Sequence, residues 1–147
     1  MQDERDLVRA VERAENTGTT AQLANSLDHL AAYYHENGRY TEAAPIYARG
    51  LGMWRQILGP EHPSVATLSI NLAQIYLHLG RVDEAGPLFR QAIGIFEADV
   101  EFEDEGVMAS FDLYVRSLRS LGRTDEAALF EERVRRVAAQ VSETVNV

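Results

Sequence analysis

The chain has 147 residues, 46% of them hydrophobic and 25% charged, enough for one folded domain with a real core. It contains no cysteine, which excludes disulfides and thiolate metal sites, and its formal net charge of −9 argues against a nucleic-acid partner, which needs a basic face. No apolar run approaches the roughly 18 residues that span a bilayer, and the polar opening MQDERDLVRA is unlike a signal peptide, so a cytoplasmic location without a membrane partner is expected.

All 14 basic residues are Arg, which we read as the codon bias of a GC-rich bacterial genome. In chain order, Leu7, Val8, Val11 and Ala14 share one face of a helix predicted over 3–16. Gly18 is its expected C-terminal cap. Thr19 or Thr20 then caps a helix reaching about Asn37, with Leu23, Leu27, Leu30, Ala31 and Tyr34 on its apolar face. Gly38 follows, where a left-handed residue is wanted. Thr41 is the expected cap of the next helix, which carries Ala43, Ile46, Tyr47, Leu51 and Trp54 and ends near Leu58. Pro60 and Pro63 stop one helix and set up another.

From about Pro63 to Leu79, Leu68, Leu72, Ala73 and Tyr76 are expected to be buried. Asp83 should cap a helix bearing Ala85, Leu88, Phe89, Ala92, Ile93 and Phe96. The run from Glu97 to Glu105 is the most acidic stretch; a solvated linker is the plainer reading and a dock for a basic partner the sharper one. Phe111, Tyr114, Val115 and Leu118 then share a face, Gly122 makes the turn and Asp125 is the expected cap of a last helix to about Val141, with a fraying tail beyond. In that helix Glu131 and Arg135 stand where earlier ones have Tyr47 or Phe89 and Leu51 or Ile93. Charge there would close a stack with a wettable surface.

Gly38, Gly80 and Gly122 are 42 residues apart, in GRYTEA, GRVDEA and GRTDEA. Such a period means stacked units. They divide the single domain 1–147 into a capping helix 3–16, repeats 20–58, 62–99 and 104–141, and a tail 142–147. Ala43, Ala85 and Ala127 follow each turn by the same step, and a methyl there lets two antiparallel helices approach closely.

Leu30, Ala31, Tyr34, Gly38, Ala43, Tyr47 and their counterparts at +42 and +84 resemble the packing positions of tetratricopeptide repeats. The period exceeds the usual one of about 34. With the segment LGPEHPSVATLSINLA, it resembles the kinesin-light-chain subclass, whose second helices are longer. Gly50 departs from the family's usual Ala, Val115 from a smaller residue and Glu131 from an aromatic one. The resemblance covers roughly residues 20–140. It implies an all-α, right-handed α-solenoid of three helix pairs behind an N-terminal capping helix.

Motifs for catalysis are missing: there is no phosphate loop, HExxH or GxSxG. His29 and His35 are too far apart on their helix to share a ligand face, His62 sits in a turn and is expected to hydrogen-bond locally, and His78 is near a helix end. No catalytic residue, metal site or cofactor is assigned. The resemblance implies that the first helix of each repeat lines the inner curve. The expected peptide-binding residues there are Asn25, Asp28 and His35, then Thr67, Ile70, Asn71, Gln74 and Leu77, then Asp112, Arg116 and Arg119. Asn71 matches an Asn of the family that contacts ligand backbone, Ile70 and Leu77 would form an apolar patch, and Arg116 and Arg119 a basic end. The basic cluster by which chaperone-binding members hold a chain terminus is replaced by Asp28, Ala32, Ala109 and Leu113. The expected function is a non-enzymatic adaptor for a protein or peptide, the alternatives being a self-pairing homodimer module or a regulatory domain of an enzyme system.

Overall fold

The structure, a computed structural model, describes residues 3–98 and 105–145. Among these are seven helices and no strand: α1 (Glu4–Thr17), α2 (Thr20–Glu36), α3 (Tyr40–Leu58), α4 (Pro63–His78), α5 (Val82–Ala98), α6 (Glu105–Ser120) and α7 (Thr124–Val145). Most of the acidic run lies outside the described residues.

The three inter-helix turns share one construction. Gly38, Gly80 and Gly122 have φ of 71°, 73° and 74°, the left-handed region open to glycine without a Cβ penalty. The amide of the following arginine donates back across the turn: Arg39 to the Tyr34 carbonyl at 2.8 Å, Arg81 to Tyr76 at 2.7 Å and Arg123 to Leu118 at 2.9 Å. Each glycine amide donates to the carbonyl three residues earlier, the pairing of a Schellman motif. The arginine side chain then clasps the first turn of the second helix. Arg39 pairs with Glu42 at 2.6 Å, Arg81 with Glu84 at 2.5 Å and Arg123 with Glu126 at 2.8 Å.

This construction corrects the expected caps of the second helices. Tyr40, Val82 and Thr124 open those helices, so Thr41, Asp83 and Asp125 lie inside the first turn. Arg39 holds the cap position of α3 and makes no side-chain cap bond. Thr19 does cap α2, in a reciprocal capping box with Gln22. His62 caps α4, its Nδ1 accepting from the Ser64 amide at 3.1 Å ahead of Pro63, which is the local bond expected of it. Helix α7 runs on to Val145, past the expected end at Val141.

Two hydrophobic cores meet on α4. The first gathers Leu7 and Val11 of α1, Leu27, Leu30, Ala31 and Tyr34 of α2, Ala43, Tyr47 and Leu51 of α3, and Val65, Leu72 and Ile75 of α4. The second takes Ala66, Ile70 and Ala73 from the other side of α4, and fills with Phe89 and Phe96 of α5, Phe111 and Tyr114 of α6, and Phe130 of α7. A helix apolar on two faces is one that is packed on both, and α4 has no Asp, Glu, Arg or Lys to prevent it. Leu68 and Tyr76, expected to be buried in α4, are only partly covered, while Val65, Ser69 and Ile75 are buried in their place. Ala43, Ala85 and Ala127 are fully buried, which is what the close approach of each helix pair requires.

Candidate functional site

With both cores drawn, the first helices α2, α4 and α6 keep one open stripe each. On α4 it is Thr67, Asn71, Gln74 and His78, at i, i+4, i+7 and i+11. Shifted by 42 residues it becomes Asn25, His29, Ala32 and Glu36 on α2, and Ala109, Leu113, Arg116 and Ser120 on α6. Gln74 donates to the hydroxyl of the buried Ser110 and ties the second stripe to α6. Asn71 is half-buried with no partner for its amide among the described residues, and Arg116 has no ion-pair partner there.

Five of the expected site residues lie on this stripe: Asn25, Thr67, Asn71, Gln74 and Arg116. Of the others, all but Asp112 turn toward the second helix of their own repeat. Ile70 is 3% exposed and packs into the second core, so the expectation that it is free of the core is corrected. Leu77 is partly buried against the same core. His35 stands edge-on to Tyr40 and Tyr47. Arg119 is held by both carboxylate oxygens of Glu131, at 3.0 and 3.1 Å, so the expected basic end reduces to Arg116. Asp112 is exposed, off the stripe.

His35 and Arg119 are met by the first half of α3 and α7; for Asp28 and Ile70 the cause is the length of the second helices, 19 residues for α3 and 17 for α5. Their last turns reach back along the first helix and cover the position held by Asp28 and Ile70. There Trp54 and Gly50 of α3 face Asp28, and their counterparts at +42 are Phe96 and Ala92. The Trp54 indole donates to Asp28 Oδ2 at 2.6 Å. The other carboxylate oxygen is buried without a partner, and a Cβ on Gly50 would lie 2.8 Å from it. Gly50, the departure from the family's usual Ala, is thus the space that Asp28 needs. Burial pushes the Asp28 carboxyl up, against the lowering effect of the Trp54 bond.

Two of the histidines judged scattered come together across the first repeat boundary. The His78 ring stacks on Tyr40 with centroids 4.5 Å apart, and His35 meets the same tyrosine edge-on. Burial first, and then the neighbouring His78, push the His35 imidazole down. The signal that would have found His29, His78 and Leu113 was in hand: each is a 42-residue step from a stripe position. Among the described residues no group of three or more side chains is placed to hold a metal ion, and no helix is long and apolar enough to cross a membrane.

Helix pairs stacked through their first and second helices, with a polar stripe and two closed cores, define an interaction solenoid of repeated helical hairpins. The family model for the tetratricopeptide repeat matches residues 19–98, and the chain belongs to that family. Its repeats are in general modules for protein–protein interaction.

Among solved structures, the chain is 27% identical to a Podosopora anserina protein described as a kinesin light chain with nearly identical TPR-like repeats, over 93% of this chain and 66% of that one, with a TM-score of 0.71. A single-substitution variant of that protein is 26% identical over 95% of this chain and 67% of its own, again at 0.71. BtubC (BKLC) from P. vanneervenii shares the fold at a TM-score of 0.76 and 19% identity, over 95% of this chain and 56% of its own. The chain thus spans from just over half to about two thirds of the length of these relatives. No curated protein sequence matches it.

Proposed function

We propose that this chain is a non-enzymatic adaptor that holds an extended peptide, or an extended segment of a partner protein, along the stripe of α2, α4 and α6. One observation carries this reading: the central helix α4 spends both flanks on the two cores and keeps between them a stripe of polar side chains, Thr67, Asn71, Gln74 and His78. These are hydrogen-bonding groups suited to the amides and carbonyls of an extended main chain. Glu36 on one side of this centre and Arg116 on the other set the direction in which a charged peptide lies. Regular spacing of the stripes gives register, and side chains of the peptide supply specificity through the first and third helices.

The test starts from peptides selected by display against the whole chain and titrated calorimetrically. Asn71→Ala combined with Arg116→Ala should weaken binding by about tenfold or more, as loss of a charge-assisted contact does. Stability should fall by no more than about 1 kcal/mol, since Arg116 is exposed and the half-buried Asn71 has no hydrogen-bond partner among the described residues to lose. Unchanged affinity in a well-folded double variant would remove the site from this face. Light scattering that showed a stable dimer blocked by the same substitutions would favour the self-pairing alternative.

A further inference from the structure

On the layer of second helices, α5 and α7 leave a groove of about 290 Å³ with Tyr114 of α6 in its floor. Arg90, Glu126, Leu129, Phe130 and Arg133 complete the lining. Leu129 is 73% exposed, the most open large apolar side chain among the described residues. The equivalent groove one repeat earlier, between α3 and α5, has Ala48, Leu72, Pro87 and Gln91 at the positions of Arg90, Tyr114, Leu129 and Arg133. At these positions the later groove carries two guanidinium groups, a phenol and a leucine; Tyr114 and Arg133 serve the packing of the helices, whereas Leu129 faces solvent and Arg90 makes no ion pair among the described residues.

Its charges are unevenly matched. Arg133 is paired with Glu97, and Glu126 with Arg123 at 2.8 Å. Arg90 has only the Tyr114 hydroxyl, 3.5 Å from its Nη1. The other arginines of α3, α5 and α7 each have a carboxylate or an amide acceptor. Gly86 lies beneath this pair where the other repeats have Ala44 and Ala128. A Cβ there would come 2.8 Å from the Tyr114 hydroxyl and 3.0 Å from Arg90 Nη1. An unmatched cation and a hydroxyl therefore stand inside an apolar groove.

We propose that this groove takes the C-terminal residue of a partner polypeptide, its leucine- or phenylalanine-sized side chain against Leu129 and Phe130 and its terminal carboxylate on Arg90. Arg90 and Leu129 line the same short groove, so a single residue that carries both an apolar group and a negative charge satisfies both walls. A chain terminus is where a polypeptide joins the two. The groove is open to solvent, so the preceding residues leave over its rim, and their further contacts supply the affinity that so small a contact lacks. A charge-assisted bond to Arg90 in an apolar setting gives the contact its selectivity. This site lies on a different layer from the peptide stripe, and either can fail without the other.

The probe is a hexapeptide of Gly and Ser ending in Leu with a free carboxylate, titrated into the 15N-labelled full chain. Amide shifts should centre on Leu129, Phe130 and Arg133. The same peptide with an amidated terminus should bind about tenfold more weakly, and Arg90→Gln should lose about as much for the free acid. The acid should also weaken with salt. Leu129→Ser provides a second variant on the other wall, and thermal melts of both check the fold. A hexapeptide of Gly and Ser ending in Gly is the control for a carboxylate without the apolar side chain; if it binds as well as the one ending in Leu, a leucine-sized terminal residue is not what the groove selects. No shifts at millimolar peptide, equal binding of acid and amide, indifference to Arg90→Gln, or shifts confined to α2, α4 and α6 would each overturn the proposal.

Discussion

The two cores follow one register and are built of different material. Around α2 and α3 the packing is aliphatic, with Tyr34 and Tyr47, and a carboxylate intrudes: Asp28 against Trp54 and Gly50. One repeat later the same three positions hold Ile70, Phe96 and Ala92, all buried. There the rings of Phe89, Phe111, Tyr114 and Phe130 form a connected cluster, with Phe89 stacked on Tyr114 at 4.8 Å and Phe130 edge-on to Tyr114 at 5.0 Å. The backbone register fixes which residues meet, and the side chains at a meeting point change only as a set. Replacing Ile by Asp is tolerated at 28 because an indole supplies a donor and a missing methyl supplies space.

The seams between repeats differ in a parallel way. Arg39 reaches back to Glu4 of α1 at 2.7 Å, and Arg123 reaches back to Asp83 of α5 at 2.6 Å. Arg81 is at the equivalent place in the middle seam, but the residue it would reach is Thr41. Farther along, Arg49–Glu15 and Arg133–Glu97 tie the outer seams, while in the middle one Arg55 donates to the uncharged amide oxygen of Gln91. Its cohesion comes instead from α4, which belongs to both cores, and from the stacked Tyr40 and His78.

The strongest way to break the contrast is in the aromatic cluster. Phe89→Ala removes a fully buried ring that touches three others and should cost about 3–5 kcal/mol in urea unfolding. Hydrogen exchange should show α5 to α7 opening ahead of α2 and α3; equal loss in both halves would mean that they unfold as one. Ala85→Leu overfills the contact between α4 and α5, and we expect a loss of about 1–3 kcal/mol by the same measurement. A variant that melts like wild type would show that this contact has slack.

The turns should respond alike in both halves. Gly80→Ala meets no atom within 4 Å, so its cost is that of the positive φ alone, about 1 kcal/mol. Gly38→Ala should match it, and a clear difference would mean that the turns are not equivalent. Asp28 sharpens the comparison through pH. Its raised pKa means that the folded state holds the proton more tightly than the unfolded chain. The stability linked to that proton is present in acid and is lost as the pH rises through the folded value. Asp28→Asn should therefore melt higher than wild type at pH 7, with the difference shrinking as the pH falls through the carboxylate range; a pH-independent difference would remove the ionisation argument. Smallest of all, Thr41→Asp offers Arg81 the partner that Arg123 has in Asp83. A slight rise in Tm that disappears in high salt is the expected result, since such exposed pairs contribute little.

Spacing alone carried the three glycine turns, the small alanines and the apolar faces, because a left-handed turn and a close helix contact each admit few residue types. The same spacing placed both Asn71 and Gln74 on the open stripe. It could not assign Asp28, Ile70, His35, Leu77 and Arg119, since a residue one turn from a packed position reads the same whether or not a side chain of the neighbouring helix covers it. It also could not give the caps, because the Arg–Glu clasp that replaces them, though repeated three times in sequence, acquires meaning only once Gly38, Gly80 and Gly122 have turned the chain.

What the sequence by itself determined was the repeat, its period and the family of folds. These depend on local backbone conformation and on periodic burial, which are written residue by residue. Tertiary structure alone decided which face remained open, that α4 serves two cores, and that Arg90 stands unmatched beside Leu129. Those are properties of distance between helices, and they depend on how far α3, α5 and α7 extend over their neighbours.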